Sequence, residues 1–213
     1  MKTFQGAVVV GVLGLGVAVA ALGAPKQQPK LSAAAKRGEY LVTIGGCNDC
    51  HTPWKMGQNG PEPDVSRLLS GHPETLAMTT APQQAGPWMA AIAGTFTAWA
   101  GPWGVSFTTN LTPDPETGLG RWTEQNFIEA LRTGRHQGRG RQILPPMPWQ
   151  NYGKATDADL KAIFAYLRTV PAIRNRVPDP LPPEEASAQP AGGAATGSGA
   201  WTASGESAKQ PGR

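Results

Sequence analysis

Two thiols and an imidazole stand within five residues, Cys47-Asn48-Asp49-Cys50-His51. The C-x-x-C-H spacing is that of covalent haem attachment. Cysteines separated by two residues can reach the two vinyl groups of one porphyrin and form thioethers. The histidine that follows then falls under the iron and can ligate it from the proximal side. A haem held this way transfers electrons unless its second axial position is left open. Other chemistry competes for the same residues. A thioredoxin-like C-x-x-C needs a βαβ setting, which the flanking sequence lacks. A structural zinc site needs four ligands, yet Cys47 and Cys50 are the only cysteines, and the other two histidines, His72 and His136, are scattered. A disulfide between residues three apart would leave His51 without a role.

A carrier needs a partner for His51 across the iron, and a thioether is the expected one because it is soft and raises the potential. Met147 lies in Leu144-Pro145-Pro146-Met147-Pro148-Trp149. Prolines on both sides stiffen that loop and hold the sulfur with little further loss of entropy. Met56 is too near His51 to reach around the porphyrin edge, and Met78 and Met89 read as packing residues. His136 is the rival ligand, although its neighbours Arg135, Gln137, Gly138 and Arg139 read as a solvated loop.

Three helices must position these groups. The first is expected from about Ser32 to Ile44, capped by Ser32, with Tyr40, Leu41 and Ile44 on one face. Gly45-Gly46 ends it and delivers Cys47. The second runs from Thr123 to Thr133, with Thr123 as cap, Phe127, Ala130 and Leu131 as its apolar stripe, and Gly134 as its stop. The third runs from Thr156 to about Val170. Thr156 with Asp159 resembles a capping box, and Leu160, Ile163, Phe164 and Leu167 fall at helical spacing. A helix before the haem motif and a last helix packed across it is the pattern of a class I cytochrome c, a mainly α fold. Gly38 would let the last helix approach closely, through Tyr166. Between Thr52 and Gly104 the chain is loop-rich. The segments 95–99 and 105–108 flank Gly101-Pro102-Trp103-Gly104 and suggest a small β-hairpin inserted beside the haem.

The ends of the 213-residue chain differ in character from its middle. Gly6 to Ala24 is apolar or glycine throughout and follows Lys2. Residues 1–25 are therefore either an export signal, cleaved near Ala20–Ala24, or a membrane anchor. Both readings put residues 32–176, the monohaem domain, on the periplasmic side of the cytoplasmic membrane, where haem c is attached. Residues 177–213, rich in Pro, Ala, Gly and Ser, cannot bury enough apolar surface to offset their ordering entropy and are expected to form a disordered tail. The charge is modest, with 19 Lys and Arg against 15 Asp and Glu. No basic helix or aromatic-basic motif supports nucleic-acid binding. Arg132, Arg135, Arg139 and Arg141 form a basic cluster that is either a patch facing the haem propionates or docking an acidic redox partner, or a solvated loop.

The stretch Gly104-Val105-Ser106-Phe107-Thr108-Thr109-Asn110-Leu111-Thr112-Pro113-Asp114, then Glu116-Thr117-Gly118-Leu119-Gly120, Trp122, Phe127, Ala130-Leu131-Arg132-Thr133-Gly134, Pro146-Met147-Pro148-Trp149 and Tyr152, resembles the cytochrome c domains of membrane-bound alcohol and gluconate dehydrogenase cytochrome subunits. The likeness covers roughly residues 36–172. It implies a class I fold in which Cys47, Cys50 and His51 hold one haem c, with Met147 as distal ligand and 110–114 packed near the haem. Those subunits carry three haem motifs and this chain has one, so the resemblance does not imply an alcohol-to-quinone shuttle. The expected function is one-electron transfer between a redox donor and acceptor, as a subunit of a respiratory or photosynthetic membrane complex and not as an enzyme. The alternatives are a haem enzyme or gas sensor with an open sixth iron position and a thiol–disulfide oxidoreductase. No G-x-S-x-G, H-E-x-x-H or P-loop pattern is present.

Overall fold

Serine, threonine and glycine at fixed offsets set where the helices begin and end. The computed structural model describes residues 30–82 and 87–183. The apolar run Gly6–Ala24 and residues 184–213 lie outside them. Helix α1 spans Ala33–Ile44, and Ser32 caps it by accepting from the Ala35 amide at 3.1 Å. Helix α2 spans Cys47–His51. Strands β1 (Trp54–Gly57) and β2 (Gly60–Pro63) form a hairpin. Strands β3 (Ala91–Ile92), β4 (Ala98–Gly101) and β5 (Gly104–Phe107) form an antiparallel sheet in that order. Helix α3 spans Glu124–Thr133, α4 spans Trp149–Tyr152 and α5 spans Asp157–Leu167. Thr123 and Asn126 close a capping box on α3, Gly134 ends it in the left-handed region, and Thr156 caps α5. Among the described residues no helix is long and apolar enough to cross a membrane.

The main core is helical. Val42 of α1, Phe127, Ile128 and Leu131 of α3, and Leu160, Ile163, Phe164 and Leu167 of α5 pack together with Leu69, Leu119 and Val170. Gly38 sets the closest crossing, between α1 and α5: a Cβ there would lie 1.9 Å from the Ala162 carbonyl oxygen and 2.8 Å from Tyr166 Cβ. This crossing corrects the expected inner face of α1. Ala35, Gly38 and Val42 are buried, whereas Tyr40 and Ile44 are exposed. Two helices in backbone contact accept only small residues along the seam, so the larger side chains rotate outward.

The hairpin expected around Gly101–Gly104 is β4–β5, but it is part of a larger β component. The described residues form five α-helices, two of them only a turn or so long, and two small sheets, a more mixed fold than the mainly α one expected. Residues 54–63 and 91–107 lack helical period, and Gly, Pro and β-branched residues favour strand and turn there. The sheet buries one face: Ala98, Ala100, Val105 and Phe107 make a second core with Met78 and Val177 against it. The chain keeps contact beyond Val177, because Leu181 exchanges both backbone hydrogen bonds with Val105 at 2.9 Å.

Two buried asparagines join the loops. Asn110 donates to the Ile173 carbonyl and accepts from the amide and hydroxyl of Thr112. Asn175 donates to the Ser70 and His72 carbonyls and accepts from Arg67 and the Glu74 amide. All four hydrogen-bonding sites of the Asn175 amide are thus satisfied without water.

Candidate functional site

Helix α1 ends at Gly45, and Gly46, at φ +65°, turns the chain directly into α2. One short helix therefore carries Cys47, Cys50 and His51. Its surroundings grip it through backbone groups. The Gly71 amide donates to the His51 carbonyl at 2.8 Å, and the Trp54 indole donates to the Asp49 carbonyl at 3.2 Å. Buried Thr52 accepts from the Leu69 amide at 3.0 Å.

His51 is buried, and its Nδ1 lies 2.8 Å from the Thr109 carbonyl oxygen. A carbonyl only accepts, so Nδ1 carries the hydrogen and Nε2 keeps its lone pair. A hydrogen bond of this kind fixes the tautomer and ring orientation of a metal-binding histidine. Burial lowers the imidazole pKa, with the bond to Thr109 acting the other way, so the ring is neutral at pH 7.

The thiols have the opposite of the environment that thiol–disulfide exchange needs. They are unpaired and half-buried. Burial pushes Cys47 up to about 11, and burial followed by the Asp49 carboxylate raises Cys50. A redox-active thiol is held in the thiolate form by a depressed pKa. These two stay protonated at pH 7, which argues against the oxidoreductase reading.

Met147 is half-buried and packs against the same helical core as Cys47. It lines a cleft with Ile143, Pro145 and Trp149. Its loop is tethered on both sides. On one side Ser106 of β5 donates to the Pro145 carbonyl at 2.6 Å. On the other, the Trp149 ring lies over Gly134, where a Cβ would come within 2.3 Å of it, and the Tyr152 hydroxyl donates to the Gly45 carbonyl just before Cys47. One continuous segment therefore serves both groups: Ser106 holds the methionine loop and Thr109, three residues on, holds His51.

The other candidate ligands are placed elsewhere. Met56 is exposed and Met78 packs on the sheet core. Met89, expected to pack, is 68% exposed instead, in the short stretch just before β3. The His136 ring packs edge-on against Trp122 with centroids 4.9 Å apart. In the basic cluster, Arg132 pairs with Asp157 at 2.5 Å, while Arg135 and Arg141 bond carbonyls of their own loop. Sequence reasoning missed Ser106 and Thr109 as positioning residues. Thr109 acts through its carbonyl, which no side chain advertises, and both lie in the stretch that carries the family resemblance.

Comparison with known proteins adds an independent line. The chain is 28% identical over 169 residues to the cytochrome c subunit of alcohol dehydrogenase (quinone) from Gluconobacter oxydans, covering 78% of this chain and 28% of that protein. It is 30% identical over 134 residues to the cytochrome c subunit of gluconate 2-dehydrogenase from Pantoea cypripedii, covering 63% of this chain and 22% of that protein. This chain carries a cytochrome c domain resembling theirs. The cytochrome c domain is also 40% identical over 147 residues to a nicotinate dehydrogenase subunit from Pseudomonas putida, covering 69% of this chain and 9% of that protein. The chain thus spans less than a third of the length of each of these relatives. No protein-family model matches it.

Proposed function

We propose that this chain is a monohaem c-type cytochrome that passes single electrons between a redox donor and a redox acceptor on the periplasmic side of the cytoplasmic membrane, as a subunit of a membrane electron-transfer complex. The observation that carries the reading is the shared segment 106–109, which grips the Pro145 carbonyl at one end and the His51 imidazole at the other. Such a support is what a pair of axial ligands from distant parts of a chain requires. When bound, the haem supplies a one-electron ferric/ferrous couple.

The residues divide the work among them. Cys47 and Cys50 would hold the porphyrin through thioethers. The lone pair of His51 Nε2 faces ligation because Thr109 holds the hydrogen at Nδ1. Met147 would supply the distal sulfur, and its tethered loop would keep water and exogenous ligands away. The packed helices α1, α3 and α5 hold the site rigid, which keeps reorganisation small as charge changes.

Mass spectrometry of the exported protein with a pyridine haemochrome assay tests the reading. The expected result is one covalent haem per chain, absent from Cys47→Ala/Cys50→Ala. A wild-type chain that matures without haem in a host that attaches haem c overturns it.

A further inference from the structure

Two left-handed residues stand close together in the chain between β2 and β3. Gly71 is at φ +76°, and fully buried Leu69 is at φ +60°. Leucine disfavours that region because its Cβ crowds the following carbonyl oxygen, so such a turn persists only where its surroundings over-determine it. This turn holds the candidate proximal ligand.

Both grips on His51 meet at Gly71. Its amide donates to the His51 carbonyl at 2.8 Å. It also lies against the segment that holds the ring: a Cβ there would come within 2.5 Å of the Thr108 carbonyl oxygen and 2.7 Å of the Thr109 carbonyl oxygen. The Thr109 oxygen is the acceptor for His51 Nδ1. The His72 amide donates to the Thr108 carbonyl at 2.9 Å and completes the contact. Only glycine can come so close to the ring's acceptor while bonding the histidine's main chain.

Asn175, 1% exposed, clamps this turn on both sides of Gly71. Its Nδ2 donates to the Ser70 carbonyl at 2.7 Å and the His72 carbonyl at 2.8 Å. Its Oδ1 accepts from the Arg67 guanidinium and the Glu74 amide, both at 2.9 Å. Asn175 is itself fixed, because its amide donates to the Thr117 hydroxyl at 2.9 Å and Asn110 donates to the Ile173 carbonyl at 2.8 Å. Asn110 directly follows Thr109, so the circuit closes: the strap after α5 holds the turn, and the turn packs on the segment that anchors the strap. Asn175 lies beyond the residues that carry the family resemblance.

Resting on the function proposed above, we infer that Asn175 is a positioning residue for the proximal ligand: acting through Gly71, it keeps the Thr109 carbonyl at bonding distance from His51 Nδ1–H. A hydrogen bond at Nδ1 raises the basicity of the other ring nitrogen. A stronger donor at Nε2 favours ferric iron, so the strap after α5 holds the potential down. A neutral amide does this without placing a charge beside the iron.

The test uses the ferrous holoprotein, whose covalent haem is first established by the haemochrome assay. Exchange of the His51 Nδ1 proton with D2O is followed by proton–nitrogen NMR and read against the slowest amides of α5 in the same sample, which report global opening. The potential is measured by spectroelectrochemical titration. Asn175→Ala is compared with Thr123→Ala, which removes only the cap of α3. Asn175→Ala is expected to speed Nδ1–H exchange relative to the α5 amides at least ~10-fold and to raise the potential. Thr123→Ala is expected to lower the Tm and leave both readouts at their wild-type values. An unchanged exchange ratio or an unmoved potential in Asn175→Ala makes the residue merely structural and overturns the inference, while leaving the haem reading intact. Should Asn175→Ala fail to mature, the wild-type protein decides. Across a guanidinium series its His51 Nδ1–H, Gly71 amide and Asn175 side-chain protons are expected to lose protection together, and an Nδ1–H that exchanges while the Asn175 protons stay protected overturns the inference. A wild-type chain without haem overturns both readings.

Discussion

Replacing Gly38 by alanine adds one methyl group at the closest point between α1 and α5. The new Cβ would lie 1.9 Å from the Ala162 carbonyl oxygen and 2.5 Å from the carbonyl carbon. That is roughly 1.5 Å inside the optimal separation of about 3.5 Å. The obstruction is helix backbone, so no side chain can rotate away and the helices must part. Overpacking of this kind costs about 1–3 kcal/mol, with rigid backbone at the upper end. Alanine recovers roughly 1 kcal/mol through its better helix propensity. The net loss is about 2 kcal/mol, which for a domain of this size lowers the Tm by about 4–8 °C. Gly94→Ala is the control, because nothing lies within 4 Å of an added Cβ there. The assay is thermal and guanidinium unfolding of both variants by far-ultraviolet circular dichroism. A Gly38→Ala protein as stable as Gly94→Ala would refute the crossing geometry. Because α1 leads through Gly45 and Gly46 into Cys47, Gly38→Ala should also lower the yield of haem-bearing protein.

Asn175→Leu strands the Ser70 and His72 carbonyls, the Glu74 amide and the Arg67 guanidinium, and should destabilise by about 2–4 kcal/mol in urea unfolding; a loss below about 1 kcal/mol would contradict the buried network. Burial lowers the pKa of His72, with the hydrogen bond to the Leu76 carbonyl opposing. The unfolded chain therefore binds more protons below about pH 6.5, so stability held above that pH is lost as pH falls toward the depressed folded value. The stability difference between wild type and His72→Leu should shrink between about pH 7.5 and 5, and a constant difference would refute this. Ser106→Ala removes the 2.6 Å tether to Pro145. Ferric protein should then bind added imidazole about 5-fold more tightly, for roughly 1 kcal/mol lost, read by spectrophotometric titration; unchanged affinity would show that the methionine loop needs no such tether.

Helix ends were the most legible part of the chain. Ser32, Thr123 and Thr156 cap where their hydroxyls and spacing said they would, because capping is a local interaction. The inner faces of α3 and α5 also follow from spacing. The inner face of α1 does not, because Gly38 and Ala162 decide it through a contact between distant segments. The β1–β2 hairpin was not legible, because its two-residue connection is Gln58-Asn59 and Gly60 already pairs with Gly57, so no Asn-Gly or Asp-Gly pair occupies the turn itself. His72 looked like a scattered histidine, but it is a buried structural residue bonded to Thr97 and Leu76. At the site, the thiols, imidazole and thioether are visible as residue types, whereas the Thr109 carbonyl and the Ser106 tether appear only when the hairpin is placed.

The ferric absorption spectrum of wild type beside Met147→Ala bears most directly on His/Met ligation. The wild type should show the weak long-wavelength band of an iron–thioether bond. In Met147→Ala that band should vanish, the low-spin state should be lost, the potential should fall and the reduced protein should bind carbon monoxide readily. A Met147→Ala protein with the wild-type spectrum and potential would mean that another residue completes the iron's coordination, and the tethered loop would have no part in it.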